Sequence, residues 1–113
     1  MMYYISKRFE ISGAHSLQLD YESKCKRLHG HNWIVTVYCK SKELDNNGMV
    51  YDFAHIKGIV NDELDHRYLN DVFDFNPTAE NIARWICEQV GEKCYKVSVQ
   101  ESEGNIAVYE RDE

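Results

Sequence analysis

Two long runs in which apolar and polar residues alternate constrain the fold of this chain more than any other feature. In residues 3–15 one side of the alternation is formed by Ile5, Phe9, Ile11 and His15. In residues 29–40 the corresponding row is His29, His31, Trp33, Val35 and Val37. A period of two is typical of a β-strand with one buried face. Both runs therefore predict strands, and both predicted strands have histidine in the row that faces inward.

The remainder of the chain predicts two helices and a closing hairpin. Asp52 can cap a helix whose buried stripe is Phe53, Ile56, Ile59, Val60 and Leu64. A second helix, "PTAENIARWICEQVG", has Gly91 as its stop. The segments "KVSVQE" and "NIAVYE" flank the turn "SEGN" and predict the hairpin. The order ββααββ predicts an α+β fold, in which a four-stranded antiparallel sheet carries both helices on one face.

Length and charge limit the classes of protein to which this chain can belong. Its 113 residues predict a single domain, 1–113, that folds without disulfides, and the four cysteines are expected to be free thiols. The net charge of -6 argues against a nucleic-acid binder and against binding to anionic membranes. No run reaches the roughly 18 apolar residues of a membrane span, and the charged N-terminus is unlike a signal peptide. We therefore expect a cytoplasmic protein.

Three histidines predict a metal site. His29 and His31 are two residues apart on a strand and so leave the same face, and His15 ends the matching row of the first strand. If these strands pair antiparallel, the three imidazoles meet. Three nitrogen ligands suit zinc and leave a fourth position for water or substrate, as in catalytic sites. Cys25 leaves an alternative open, because a fourth protein ligand would close the site and make it structural.

Three other positions carry side chains suited to catalysis or to ligand binding. Cys25 has basic neighbours and the predicted metal nearby, which favour a thiolate that acts as a base. Asp65 beside His66 can form an acid–base pair, although such a pair at a helix end is more often a solvated cap. Glu101 continues the apolar row of its strand, so it is either paired or bound to a ligand there, or it turns into solvent at the strand end.

Several segments resemble the 6-pyruvoyl-tetrahydropterin synthase superfamily, and the likeness covers nearly the whole chain. They are "FEISGAHSL", "CKRLHGHNW", "GMVYDF", "LDHRYLND", "PTAENIA" and "VSVQES". The three residues between Cys25 and His29 resemble the bacterial 6-carboxytetrahydropterin synthase branch of queuosine biosynthesis, since a longer insert is expected in the 6-pyruvoyl branch. The resemblance implies the tunnelling fold and a homo-oligomer, a tetramer or hexamer, whose sheets close into a barrel.

The resemblance also implies a role for each candidate residue. The implied zinc ligands are His15, His29 and His31. The implied catalytic residues are Cys25 as general base and the pair Asp65 and His66 as a proton relay. The implied pterin-binding residues are Glu101 as the anchor, with Thr78 and Glu80. Because the active sites of the family lie at subunit interfaces, the Asp–His pair is expected to serve the metal of a neighbouring chain.

The implied reaction converts 7,8-dihydroneopterin triphosphate to 6-carboxy-5,6,7,8-tetrahydropterin, acetaldehyde and triphosphate. The triphosphate would meet a basic neighbourhood, among whose members the sequence gives no preference: Lys24, Lys26, Arg27 and Arg67. One alternative is the 6-pyruvoyl branch, which eliminates triphosphate but keeps the three-carbon side chain. An alternative of another class is a non-catalytic zinc-binding module whose site is closed by Cys25.

Overall fold

One mixed sheet contains all the strands of the described residues, 1–112, in this computed structural model. The strands are β1 (Tyr3–His15), β2 (His29–Ser41), β3 (Arg67–Tyr68), β4 (Cys94–Ser102) and β5 (Asn105–Glu110). Their order across the sheet is β3-β1-β2-β4-β5, and every pair of neighbours is antiparallel except β1 and β3. The helices are α1 (Phe53–Leu64), α2 (Leu69–Val72) and α3 (Ala79–Val90), and a 3₁₀ turn spans Lys24–Lys26.

The α+β fold and the order of its long elements are confirmed, and two short elements are added to them. β3 has two residues and α2 has four, so both are shorter than the length over which periodicity can be recognised. The sheet was expected to have four antiparallel strands, but it has five and is mixed, because β3 runs parallel to β1. It is open, with β3 and β5 as its edges. Among residues 1–112 no helix has the length and apolar character needed to cross a membrane.

The long helices cover one face of the sheet and bury it. The fully buried side chains of this layer include Ile56, Val60, Leu64, Ile82, Ile86, Val35, Val37, Val97 and Val99. The prediction for Phe53 was wrong: as the first residue of α1 it is 49% exposed and lines a surface groove with Tyr3 and Met49. The opposite face of the sheet is open, and Tyr4, Ile106 and Val108 are exposed there.

Strand register brings the predicted site residues to one end of the sheet. His15 is paired directly with His29 at the last position of the β1–β2 ladder. β4 has an irregular register between Gln100 and Ser102, just before the turn into β5. The residue between them is Glu101, and a bulge of this kind re-aims the side chain that it carries. The ends of β1 and β4 and the start of β2 therefore meet at one place.

Candidate metal centre

Main-chain carbonyls fix two of the three histidine rings. His15 is fully buried, and its Nδ1 donates to the carbonyl of Pro77, just before α3, over 2.8 Å. The Nδ1 of His29 donates to the carbonyl of Arg27 over 2.7 Å. A carbonyl oxygen can only accept, so each Nδ1 carries the proton and each Nε2 presents a lone pair. Hydrogen bonds of this kind orient histidine ligands in metal sites.

Glu101 supplies a fourth donor to the same space. Its Oε1 lies 3.2 Å from the Nε2 of His15, 2.8 Å from that of His31 and 4.0 Å from that of His29. Ligand atoms at the corners of a tetrahedral zinc site, with bonds of about 2.0–2.1 Å, are about 3.3 Å apart, which these distances bracket. The four donor atoms all lie within 4.8 Å of one another. This group can hold a metal ion.

The state of the imidazoles fits a divalent cation. Burial lowers the pKa of His15 below its ordinary value of 6.5, against the opposing effect of its hydrogen bond to the Pro77 carbonyl. The Nε2 of His31 is buried and has no hydrogen-bond partner among residues 1–112, although it lies 2.8 Å from Oε1 of Glu101. A neutral ring and an unsatisfied buried nitrogen are what a metal ligand requires, and a buried polar atom without a partner is otherwise costly.

Cys25 lies beside this group but outside it. The cysteine is half-buried in the 3₁₀ turn and lines a cleft of about 490 Å³ together with His29, His31 and Glu101. Within the described chain, the residues whose donor atoms converge are the three histidines and Glu101, without the thiol. The geometry therefore favours the arrangement in which the sulfur faces the cleft over the one in which it closes the metal site.

Asp65 and His66 form a pair at the sheet edge, away from the cleft. The Nδ1 of His66 lies 2.8 Å from Oδ2 of Asp65, and the main-chain N–H of Ser12 donates to Oδ1 over 2.8 Å. The Ser12 N–H, with a further contribution from His66, lowers the pKa of Asp65. The His66 side chain is 80% exposed, and its backbone has the left-handed φ of 59°. One chain alone does not bring this pair to the three histidines.

Thr78 and Glu80 lie at the start of α3, and only Glu80 faces a cleft. The side chain of Thr78 accepts from the N–H of Asn81 over 3.2 Å and so caps the helix. Glu80 lines a cleft of about 320 Å³ that has Glu101 and Asn105 in its wall. Those last two residues also line the cleft beside Cys25, so the two clefts adjoin.

Sequence reasoning missed two features of the site. The carbonyl groups of Pro77 and Arg27 carry no side-chain signal, so their role in orienting the histidines could not be predicted. The contact between Glu101 and the histidines had a signal, because a carboxylate that continues an apolar row is expected to be paired or bound to a ligand, but nothing in the sequence indicates that the histidines are its partners.

The chain is similar to named proteins over most of its length. A family model described as 6-pyruvoyl tetrahydropterin synthase matches residues 4–112. A 6-carboxy-5,6,7,8-tetrahydropterin synthase of Synechocystis sp. is 42% identical over 100 residues, which cover 80% of this chain and 77% of that protein. A protein of the same name from Bacillus subtilis is 31% identical, with coverage of 93% and 83%. The structure of Caenorhabditis elegans 6-pyruvoyl tetrahydropterin synthase has a TM-score of 0.79 and 30% identity, with coverage of 99% and 97%.

Proposed function

This chain belongs to the 6-pyruvoyl tetrahydropterin synthase family, and from that membership we propose that it is a zinc-dependent 6-carboxy-5,6,7,8-tetrahydropterin synthase. The substrate is 7,8-dihydroneopterin triphosphate, and the products are 6-carboxytetrahydropterin, acetaldehyde and triphosphate. The observation that carries the proposal is the convergence of three imidazoles beside a thiol in one cleft. The name of the relative at 42% identity supports this branch of the family. A cytoplasmic role in queuosine biosynthesis is part of the proposal.

The three histidines are the proposed zinc ligands, each through its Nε2. When bound, zinc supplies Lewis-acid chemistry that polarises the oxygens of the substrate side chain. The hydrogen bonds from His15 and His29 to main-chain carbonyls hold these two rings ready without substrate. The donor set of nitrogen and carboxylate oxygen is one that zinc accepts.

Cys25 is the proposed general base. Its position in the wall of the cleft, beside His29 and His31, puts the thiol within the space that the substrate side chain would enter. As a thiolate it takes a proton from a carbon of that side chain, and the electron pair that this leaves expels triphosphate by breaking a carbon–oxygen bond. Later cleavage of a carbon–carbon bond, with a molecule of water consumed, releases acetaldehyde.

Asp65 and His66 are the proposed proton relay of a neighbouring chain. Asp65 holds Nδ1 of His66, so the Nε2 of this exposed ring points away from the pair and is free to exchange a proton with a ligand. Since the pair lies outside the cleft of its own chain, the relay requires a homo-oligomer with sites at its interfaces.

Glu101 and Glu80 are the proposed contacts of the pterin ring. Both carboxylates line the cleft that adjoins the Cys25 cleft. A carboxylate can accept two parallel hydrogen bonds from the amino-pyrimidine edge of a pterin. Glu101 would position the ring so that its side chain reaches the histidines. Thr78 supports this wall as the cap of α3.

Product analysis tests the proposed reaction. Incubation of the purified protein with 7,8-dihydroneopterin triphosphate should release acetaldehyde and triphosphate in equal amounts and leave a 6-carboxy product. A product that retains its three-carbon side chain would instead identify a 6-pyruvoyl tetrahydropterin synthase, the name of the C. elegans structure. Metal analysis of the same sample should find zinc near one ion per chain.

The non-catalytic alternative is tested separately. A closed zinc module predicts unfolding when zinc is chelated and no turnover of any pterin. The separation of the thiol from the four converging donors argues against it.

A further inference from the structure

We propose that Lys24 and Arg27 form the subsite for the triphosphate of the substrate, and that the cleft binds its ligand in one direction only, with the phosphates at Lys24 and Arg27 and the ring at Glu80. This inference rests on the proposed function, because it assigns groups of that substrate to two ends of the same site.

Lys24 and Arg27 line the cleft that contains Cys25 and two of the histidines. Both side chains are exposed, and neither makes an ion pair or a hydrogen bond with another group in residues 1–112. A chain with a net charge of -6 repels a polyphosphate at long range. Binding of such an anion therefore needs local cations that no carboxylate neutralises, and these two meet that condition.

The backbone that carries the two cations is firmly held. Ser23 caps the 3₁₀ turn by accepting from the N–H of Cys25 over 3.1 Å, and the N–H of Arg27 donates to the carbonyl of Lys24 over 3.0 Å. The carbonyl of Cys25 accepts from Leu17, which follows β1, over 2.9 Å. Because hydrogen bonds fix the turn on both sides, the side chains of Lys24 and Arg27 start from defined positions relative to the thiol.

The opposite end of the joined clefts is acidic. Glu80 lines only that part, and Glu101 and Asn105 lie where the two clefts meet. A substrate with hydrogen-bond donors on its ring and negative charge on its phosphates matches this polarity in one orientation. In the reverse orientation the phosphates would face two carboxylates. His29 and His31 line the cleft that contains the two cations, so the side chain that joins ring to phosphate would pass beside them.

The other two basic candidates have different partners. Lys26 is paired with Glu22 over 3.5 Å and does not line the cleft. Arg67 is in β3 at the sheet edge, where its Nη2 donates to the carbonyl of Asp62 over 3.4 Å. The structure thus distinguishes four basic residues that the sequence left equivalent. Lys26, which lies between Lys24 and Arg27 in the sequence, becomes a matched control in the same turn.

Steady-state kinetics with 7,8-dihydroneopterin triphosphate test the subsite. Lys24→Ala and Arg27→Ala should each raise KM about tenfold and the double variant more, since each removes one charge-assisted contact. Arg27→Lys should recover part of the loss, and Lys26→Ala should stay within about twofold of wild type. The inhibition constant of 7,8-dihydroneopterin, which has the ring but no phosphate, should not change in any of these variants.

Calorimetric titration of the protein with inorganic tripolyphosphate measures binding without turnover. Because tripolyphosphate can chelate metal ions, the metal content of the protein is measured before and after the titration and must be unchanged. Wild type should bind it, and the double variant should bind it at least tenfold more weakly. Equal binding by both, or no binding by wild type, would overturn the subsite. Turnover without any effect of the double variant would overturn the subsite while the proposed function stands. If tripolyphosphate binding depends on both cations but the protein does not turn over the substrate, the subsite stands and the proposed reaction is wrong.

Discussion

Two main-chain carbonyls decide which nitrogen of His15 and of His29 is available to a metal. Each carbonyl takes the proton of Nδ1, so Nε2 is the free atom on both rings. The unsatisfied Nε2 of His31 and the Oε1 of Glu101 complete the group. Residues far apart in the chain thus form one group. Substitutions among them and at the neighbouring thiol should affect zinc content, substrate affinity and turnover to different extents.

Cys25→Ala should retain zinc and lose turnover. The thiol lies outside the four converging donors, so its removal leaves the metal group intact while the proposed base is lost. Loss of a positioned base typically costs about 10²- to 10⁴-fold in rate. Metal content by mass spectrometry and turnover by acetaldehyde release measure the two effects. His29→Ala is the contrasting variant, which should lose both. Loss of zinc from Cys25→Ala would make the sulfur a ligand.

Glu101→Gln should separate substrate anchoring from metal binding. The amide keeps the shape of the side chain but loses its charge and one acceptor, so the KM for the pterin substrate should rise about 100-fold. Zinc should remain at one ion per chain, because three imidazoles suffice to hold it. If zinc is lost and KM is unchanged, Glu101 is a metal ligand and not the anchor.

The metal-free protein should lose stability as the pH falls below about 6.5. Burial lowers the pKa of His15 in the folded chain, so folding favours its neutral form. This contribution is fully present above the ordinary pKa of 6.5 and is lost as the pH falls from there toward the folded value. Thermal melts between pH 8 and 5 check it, and His15→Gln should flatten the dependence. Asp65 contributes in a separate window near and below 3.8, since its pKa is also lowered.

At the scale of elements, β1, β2, α1, α3 and the closing hairpin could be predicted because each is long enough to show its period. The alternation that includes His15 and His29 predicted their meeting, and the direct pairing of these residues agrees with it. β3 and α2 could not be predicted, since two and four residues carry no period. The position of Asp65 away from the cleft depends on how α1 packs in the folded chain, so no local sequence pattern could predict it.

Ile86→Ala should destabilise the fold by about 2–5 kcal/mol, because it leaves a cavity between α3 and the sheet. Ile86 is fully buried in the core. Arg84→Ala is the matched control on the exposed side of α3, where its partner is Glu88, and it should change the free energy of unfolding by less than about 1 kcal/mol. Urea unfolding of both variants measures the difference. Similar values for the two would mean that α3 contributes little to the core.

At the scale of the whole molecule, the proposed relay needs more than one copy. Cys25→Ala and His66→Ala should each be inactive alone, yet mixed oligomers should regain activity. If Cys25 and the relay of one site come from different chains that mix at random, about a quarter of the sites in an equal mixture carry both residues. Co-expression with two tags isolates such mixtures, and oligomers of one variant are the control. No recovery in verified mixtures would contradict a relay shared between chains.

The two edges of the sheet are unlike each other. One is the two-residue β3, parallel to its neighbour, and the other is the six-residue β5, antiparallel to its neighbour. An edge strand offers unpaired N–H and C=O groups, which favour addition of another strand. Two copies that pair through their β5 edges alone would form a closed two-fold dimer. Joining the β5 edge of one copy to the β3 edge of the next would leave one β3 edge and one β5 edge free each time, so this mode of growth would stop only when the last copy meets the first.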